Sequence, residues 1–276
     1  MTEFLDIEDG RIAYDVTGSG PLVVLSPGIG DRRQAYRFLA PMLSQAGYRV
    51  VSADLRGHGE SSMGWKSVTG TDAISRTDIA GDLLALIRHL GGPAVIVGHS
   101  ISGGAATIAA AQQPDLVSGI VEINPFTKTQ KISLGGLVRI RRYRQGISRL
   151  GGMQLFHSLR IWLRYLDVAY PTKPADYAEY MAALAAKLRE PGRMAEFMKT
   201  GKSTPADAGT QLPNVTVPAW SSWVRWIPTS PTRGPRATRS WPRCRPGWAR
   251  WRWSREPGTT PTRSPQTRWP RWSLDS

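Results

Sequence analysis

Ser100 stands between small residues two positions away on each side, in the run Val95-Ile96-Val97-Gly98-His99-Ser100-Ile101-Ser102-Gly103-Gly104. A serine hydroxyl is presented for attack when a sharp strand-to-helix turn lifts it clear of its neighbours, and large side chains at the flanking positions would clash there. An apolar run precedes Gly98, and a segment rich in Gly and Ala (Gly103, Gly104, Ala105, Ala106) follows Ser102. Strand, turn and helix are therefore in the order the turn requires. The spacing departs from the common G-x-S-x-G at one place, where Ser102 replaces the second Gly; Ser is still small, and the turn is expected to survive. The chemistry implied is acyl transfer with Ser100 as nucleophile. Without its context, the same pentapeptide is an ordinary serine in a tight turn.

Acyl transfer generates an oxyanion, which needs two aimed backbone N–H donors. Ile101, next to the nucleophile, supplies one. The other is assigned to Ile29 in Leu25-Ser26-Pro27-Gly28-Ile29-Gly30, a glycine-rich loop that ends an earlier apolar run. Alone, Gly28 and Gly30 suit a plain strand-to-helix turn equally well; Ser100 is what favours an oxyanion hole. A serine nucleophile also needs a base within hydrogen-bond reach and an acid to orient that base. The four histidines are His58, His89, His99 and His157. His99 adjoins the nucleophile, His89 falls in a last helical turn where a dipole contact accounts for it, and His157 lies in a helical stretch where packing or exposure accounts for it. No metal cluster, dinucleotide fingerprint or P-loop motif appears, so no metal or cofactor is expected.

The elements around these residues alternate. Phe4–Ile7 and Arg11–Val16 flank Asp9-Gly10, a hairpin turn. Leu22–Leu25, Tyr48–Ala53, Ala94–Val97 and Gly119–Ile123 read as buried strands. A helix carries Tyr36, Leu39, Ala40 and Leu43 on one face and can end at Gly47. Another is capped by Thr77 or Asp78, with Ile79, Leu83, Leu86, Ile87 and Leu90 as its apolar face. This order predicts a mostly parallel sheet covered on both faces. From about 127 to 210 the strand signal gives way to helical patterns, such as Tyr177–Leu188 with Tyr177, Tyr180, Met181, Leu184 and Leu188. The organisation expected is a core at 1–126, a helical lid at 127–210, a return to the core at 211–219, and a tail at 220–276.

Residues 1–219 resemble the α/β-hydrolase superfamily. Pro27-Gly28-Ile29-Gly30 is similar to its oxyanion loop, with Pro27 where His is common. Asp54-Leu55-Arg56-Gly57-His58-Gly59-Glu60-Ser61 resembles the loop after its next strand, a mainly structural loop that makes His58 an unlikely base. Gly98–Ser102 resembles its nucleophile elbow, and Asn214–Ala219 the lead-in to a late strand. The resemblance implies an α/β-hydrolase fold and a triad in the order Ser, acid, His. Both partners of Ser100 should then follow Ala219, where the sequence has no His.

The tail is compositionally foreign. From Trp220 onward there are twelve Arg against Glu256 and Asp275, so +10 of the formal +15 lies there. Nine of the eleven Trp lie there too, beside nine Pro, with no period. A charge of +15 would ordinarily point to nucleic acid, but its confinement to one segment argues against a specific nucleic-acid partner. A shifted reading of a GC-rich gene explains the segment. Trp has one codon, TGG; read one base upstream, each becomes Leu, Met or Val. Trp223-Val224 then forces a Gly, and Trp226-Ile227 forces an Asp. The stretch from Trp220 to Ile227 can become Leu-Val-Val-Met-Gly-Ser-Val-Asp, a strand followed by what resembles the family's acid-bearing turn. Around Thr259 the re-read sequence can be Gly-Ala-Gly-His-Tyr-Pro-His-Ala-Gln-Ser-Pro, which resembles its catalytic His loop; the code permits this His and does not force it. The tail as written is expected to be poorly ordered, with the final strands and helix of the fold missing.

The expectation is a serine hydrolase for an ester, lactone or similar small acyl substrate, impaired because no triad acid or His is present. Cofactor-free haloperoxidase-like relatives share the constellation. Dehalogenases and epoxide hydrolases would need an Asp in place of Ser100. The competing class is non-catalytic: a truncated scaffold, or a basic, Trp-rich tail that binds RNA or membranes. Cys244 is the only cysteine, and the first residues, Met-Thr-Glu-Phe-Leu-Asp, lack a signal-peptide pattern. No stretch approaches the ~20 apolar residues of a membrane span, so a cytoplasmic protein is expected.

Overall fold

A computed structural model describes residues 1–129, 132–170 and 172–222. A seven-stranded sheet runs in the order β1-β2-β4-β3-β5-β6-β7. Its strands are β1 (Thr2–Ile7), β2 (Gly10–Thr17), β3 (Leu22–Ser26), β4 (Arg49–Ala53), β5 (Ala94–His99), β6 (Val117–Ile123) and β7 (Ala219–Ser222). β1 pairs antiparallel with β2, and β2 with β4; every pair from β4 to β7 is parallel. The apolar run that opens β3, whose five residues are all buried, follows from being covered on both faces.

Helices α2 (Arg76–His89) and α3 (Ile101–Gln112) cover one face, with Ile79, Leu83, Ile87 and Ile108 in the main core. The other face packs against a 3₁₀ turn at Arg33–Tyr36 and α1 (Leu39–Gln45), through Tyr36, Leu39, Ala40 and Leu43. Tyr36 is thus in a separate turn, not in one helix with Leu39. The hairpin turn is one residue earlier than expected, since Gly10 is already paired with Ile7 and the loop is Glu8-Asp9. The cap of α2 is neither Thr77 nor Asp78. Ser75 accepts from the Asp78 amide at 3.1 Å, while its own amide donates to the Asp78 carboxylate at 2.7 Å. This reciprocal box satisfies two donors that the helix start would leave orphaned.

Six helices separate β6 from β7: α4 (Leu134–Arg139), α5 (Arg141–Phe156), α6 (Leu159–Ala169), α7 (Tyr177–Leu188), α8 (Arg193–Gly201) and α9 (Ala206–Gln211). α5 to α8 build a second apolar cluster from Met153, Trp162, Leu166, Leu184, Leu188, Phe197 and Met198. α9 does not belong with them. Its Ala208 is fully buried in the main core, and a Cβ on Gly104 of α3 would lie 3.2 Å from it. α9 therefore packs on the sheet, apart from the cluster of α5 to α8. No described helix is long and apolar enough to cross a membrane.

The change in composition at Trp220 does not coincide with the end of the sheet. Residues Ala219 to Ser222 lie in register beside Ile120 to Ile123, so one late strand is present through the first three residues of the tail. The remainder of the tail, its expected disorder and the expected loss of later elements fall outside the described residues.

Candidate active site

Ser100 joins β5 to α3 with φ 56° and ψ −114°. A non-glycine residue held there costs on the order of 1–3 kcal/mol, which the surroundings must offset. They do so through the backbone: the Ser100 amide donates to Ile123 O at 3.0 Å, and its carbonyl accepts from the Gly103 amide at 3.0 Å and the Phe126 amide at 3.3 Å. The demand for small neighbours is steric. A Cβ on Gly98 would come 2.3 Å from Ser102 O, and one on Gly103 would come 2.8 Å from Pro125 Cβ.

Ser102 is more than a small residue that fits. It is fully buried; its hydroxyl accepts from Ser26 Oγ at 2.9 Å and donates to Pro27 O at 2.5 Å. A glycine could make neither bond. The start of α3 is thereby tied to the end of β3 and to the glycine loop that follows it. Gly28 of that loop lies so close that a Cβ there would meet His99 Nδ1 at 2.8 Å and Ser100 Cβ at 3.3 Å. Among the described residues, neither the Ile29 nor the Ile101 amide donates a hydrogen bond. Gly30, with φ +65°, packs against Trp162 and Phe197 of the lid, and its carbonyl accepts from Trp162 Nε1 at 3.4 Å. Ser100, Ile29, Ile101, Gly28, Gly30, Gly98, His99 and Ser102 are thus brought to one place.

A cavity of about 330 Å³ opens over Ser100, lined by Gly28, Ile29 and His99 from the core loops, by Asn124 and Phe126 after β6, and by Trp162, Tyr165, Leu166 and Tyr170 from the lid. Most of this lining is apolar, as small-molecule sites are. Burial lowers the His99 imidazole to about 4, so it is neutral near pH 7. His58 is also lowered to about 4 by burial; its Nδ1 lies 3.0 Å from Arg56 O and its ring meets Phe197 edge-on, outside the cavity. His89 packs edge-on against Tyr14, and His157 ends α5 in a left-handed conformation. None of the four histidines hydrogen-bonds to the Ser100 hydroxyl, and His99 alone of them lines the cavity.

Three polar groups of the site were not singled out in the sequence: Asp31, Tyr170 and Tyr180. Asp31 lines the cavity, and both tyrosine hydroxyls donate to it from the lid. Burial raises its carboxyl above the usual range, against the hydrogen bonds from Tyr180, the Arg32 amide and Tyr170. Its position directly after the glycine loop was the available signal. Just outside the cavity, Arg33 is buried among Asp15, Asp54 and Glu60, at 2.7 Å and 2.5 Å from the first two. Asp54 opens the loop that holds His58, so this cluster fixes the two core loops to each other.

Residues 21–165 match the family model for the alpha/beta hydrolase fold. A 2-(acetamidomethylene)succinate hydrolase of Mesorhizobium japonicum is 35% identical over 176 residues, which is 62% of this chain and 57% of that protein. Epoxide hydrolase B of Mycobacterium tuberculosis is 35% identical over 119 residues, 42% of this chain and 32% of its own length. The chain thus spans little more than half of the first relative and a third of the second. Among solved structures, E-2-(acetamidomethylene)succinate hydrolase superposes with a TM-score of 0.55 at 26% identity, covering 80% of both chains. Epoxide hydrolase CorEH reaches 0.61 at 19% identity over 81% of both chains, a likeness of fold alone. With the strand order, the elbow and the family match in agreement, the chain belongs to the α/β-hydrolase fold family.

Proposed function

We propose that this chain carries the site of a serine hydrolase for a small ester, lactone or similar acyl substrate. Ser100 is the attacking group, and the Ile29 and Ile101 amides receive the oxyanion. The observation that supports this most is the elbow: a strained Ser100 at the floor of a largely apolar cavity, with the glycine loop in contact with it. A serine in that position separates the reading from the epoxide hydrolases, whose opening step would call for a carboxylate nucleophile. The acid and base of the triad are assigned to residues after Ser222 that the written sequence does not supply. The chain as written is therefore impaired.

Hydrolysis of p-nitrophenyl butyrate by the written chain, by a chain whose reading frame is restored after Ala219, and by Ser100→Ala in the restored chain tests this. Without its partners a serine site retains ~10³–10⁴ over water from the oxyanion hole and binding. The restored chain should exceed the written one by orders of magnitude, and Ser100→Ala should abolish the gain. Near-equal, Ser100-dependent turnover by both chains would mean that the base lies elsewhere.

A further inference from the structure

Asp31 is 5% exposed and shares the cavity with Ser100. Its Oδ1 accepts two hydrogen bonds, from the Arg32 amide at 2.9 Å and from the Tyr180 hydroxyl. Its Oδ2 accepts one, from the Tyr170 hydroxyl at 3.3 Å. A carboxylate offers about four acceptor sites, so Oδ2 keeps capacity for another donor. Among the described residues, the lining contains no Lys or Arg. Of the arginines that follow on the chain, Arg37 pairs with Asp176 and lies over the Tyr180 ring, and the Arg32 guanidinium lies 5.3 Å from the centroid of the same ring. Among the described residues, Asp31 is in no ion pair. Trp162, Tyr165 and Tyr170 add three aromatic rings to the lining, and ring faces attract cations.

A buried acid, aromatic walls and no Lys or Arg among the described lining residues make a poor receptor for an anion and a good one for an ammonium group. We infer that the cavity selects an acyl substrate that carries a cationic amine, with the ammonium seated on Asp31 Oδ2 and the acyl carbon presented to Ser100. This rests on the hydrolase reading for the second contact only. It also separates this site from that of the relative named for a succinate, since a dicarboxylate would bring like charge to Asp31.

The amine seat has a proton signature. Burial favours the neutral carboxyl, whereas a bound ammonium favours the ionised one. Amine binding should strengthen as pH rises through the Asp31 ionisation and should release protons. The groups facing Asp31 are Arg32, Arg37, Tyr36, Tyr170 and Tyr180; the three tyrosines and Arg37 are all shifted upward, so none of those four changes charge between pH 5 and 8. His99, in the same cavity, stays neutral over that range because burial lowers it to about 4.

Calorimetric titration of the full chain with 4-phenylbutylamine, 4-phenylbutan-1-ol and 4-phenylbutyrate tests the inference without requiring turnover. At pH 8 the amine should bind at least tenfold tighter than the alcohol, and the carboxylate weakest of the three. Asp31→Asn should erase the amine's advantage and leave the alcohol within about twofold. Ser100→Ala should keep the ranking intact, which separates this inference from the hydrolytic reading. No saturable binding by amine or alcohol, an amine no tighter than the alcohol, or an advantage that persists in Asp31→Asn would each overturn it. If Asp31→Asn does not fold, the wild-type pH series decides: the advantage should fall as pH is lowered through the Asp31 ionisation, and an advantage that stays constant down to the acid limit of folding overturns the assignment.

Discussion

Replacing Ser102 by Gly brings the elbow to the commoner pattern, yet the structure predicts that it weakens the protein. The Ser102 hydroxyl is the acceptor for Ser26 Oγ and the donor to Pro27 O, and all three residues are buried. Deleting it leaves a buried hydroxyl donor and a buried carbonyl without those bonds. Each such group costs about 1–3 kcal/mol, and the greater backbone freedom of Gly in a helix adds roughly 0.5–1 kcal/mol. Ser102→Gly should therefore lose about 2.5–7 kcal/mol, and Ser102→Ala about 2–6 kcal/mol by the same count of groups. Ser26→Ala removes a donor while Ser102 keeps its bond to Pro27, and should cost only about 1 kcal/mol. The double variant Ser26→Ala/Ser102→Ala should then cost less than the sum of the singles, since Ser26 has no bond left to lose. Equilibrium urea denaturation of the four proteins gives the cycle. A Ser102→Ala variant within 0.5 kcal/mol of wild type, or strict additivity, would show that the elbow asks only for a small residue at this position.

Other perturbations report on neighbouring parts. Gly98→Ala places a Cβ 2.3 Å from Ser102 O and 2.7 Å from Gly103 N, both backbone atoms in a constrained turn. Overpacking of this kind costs about 3 kcal/mol or more, so a melting curve like that of wild type would contradict the geometry. Arg33→Ala strands Asp54, which is 2% exposed, and should cost about 3–5 kcal/mol in chemical denaturation; adding Asp54→Asn should recover part of the loss. His58 has a folded pKa of about 4 against an ordinary value of 6.5. The unfolded chain therefore binds a proton in this window that the folded one refuses. Its contribution is complete above pH 6.5 and is lost as pH falls towards 4, by up to about 3 kcal/mol. Denaturation midpoints across that range should flatten in His58→Gln if the histidine is the source.

Ser100 was legible because the elbow is a local device: small residues two positions away and an apolar strand before it are sequence properties. The alternating strands were legible for the same reason, since burial on both faces writes itself as short apolar runs. The cap of α2 was written in the sequence as Ser75-x-x-Asp78, and choosing Thr77 or Asp78 overlooked the reciprocal pattern. The role of Ser102 was not legible, because its partners Ser26 and Pro27 are 76 and 75 residues away. The Asp31 seat needed more still. Its tyrosines approach from 139 and 149 residues along the chain, on helices whose pattern marked Tyr180 simply as a core-facing position. Likewise, an apolar helical face does not say which surface receives it, and α9 was grouped with the lid although it covers the sheet.

Under the proposed function, the sheet also constrains where partners for Ser100 would belong. Ser26, Gly98, Glu122 and Ser221 are successive register partners across β3, β5, β6 and β7, so the four strands end level. In an open parallel sheet the site forms beyond these carboxyl ends. Three of the four exits already line the cavity: the glycine loop after β3, Ser100 after β5, and Asn124 with Phe126 after β6. The fourth is the exit from β7 at Ser222, whose carbonyl accepts from the Asn124 amide at 2.8 Å. In the shifted reading the forced aspartate falls at position 227, and five residues reach about 17 Å at full extension. The written sequence has Ile227 there and no carboxylate before Glu256. The foreign composition thus begins inside a core strand, at Trp220.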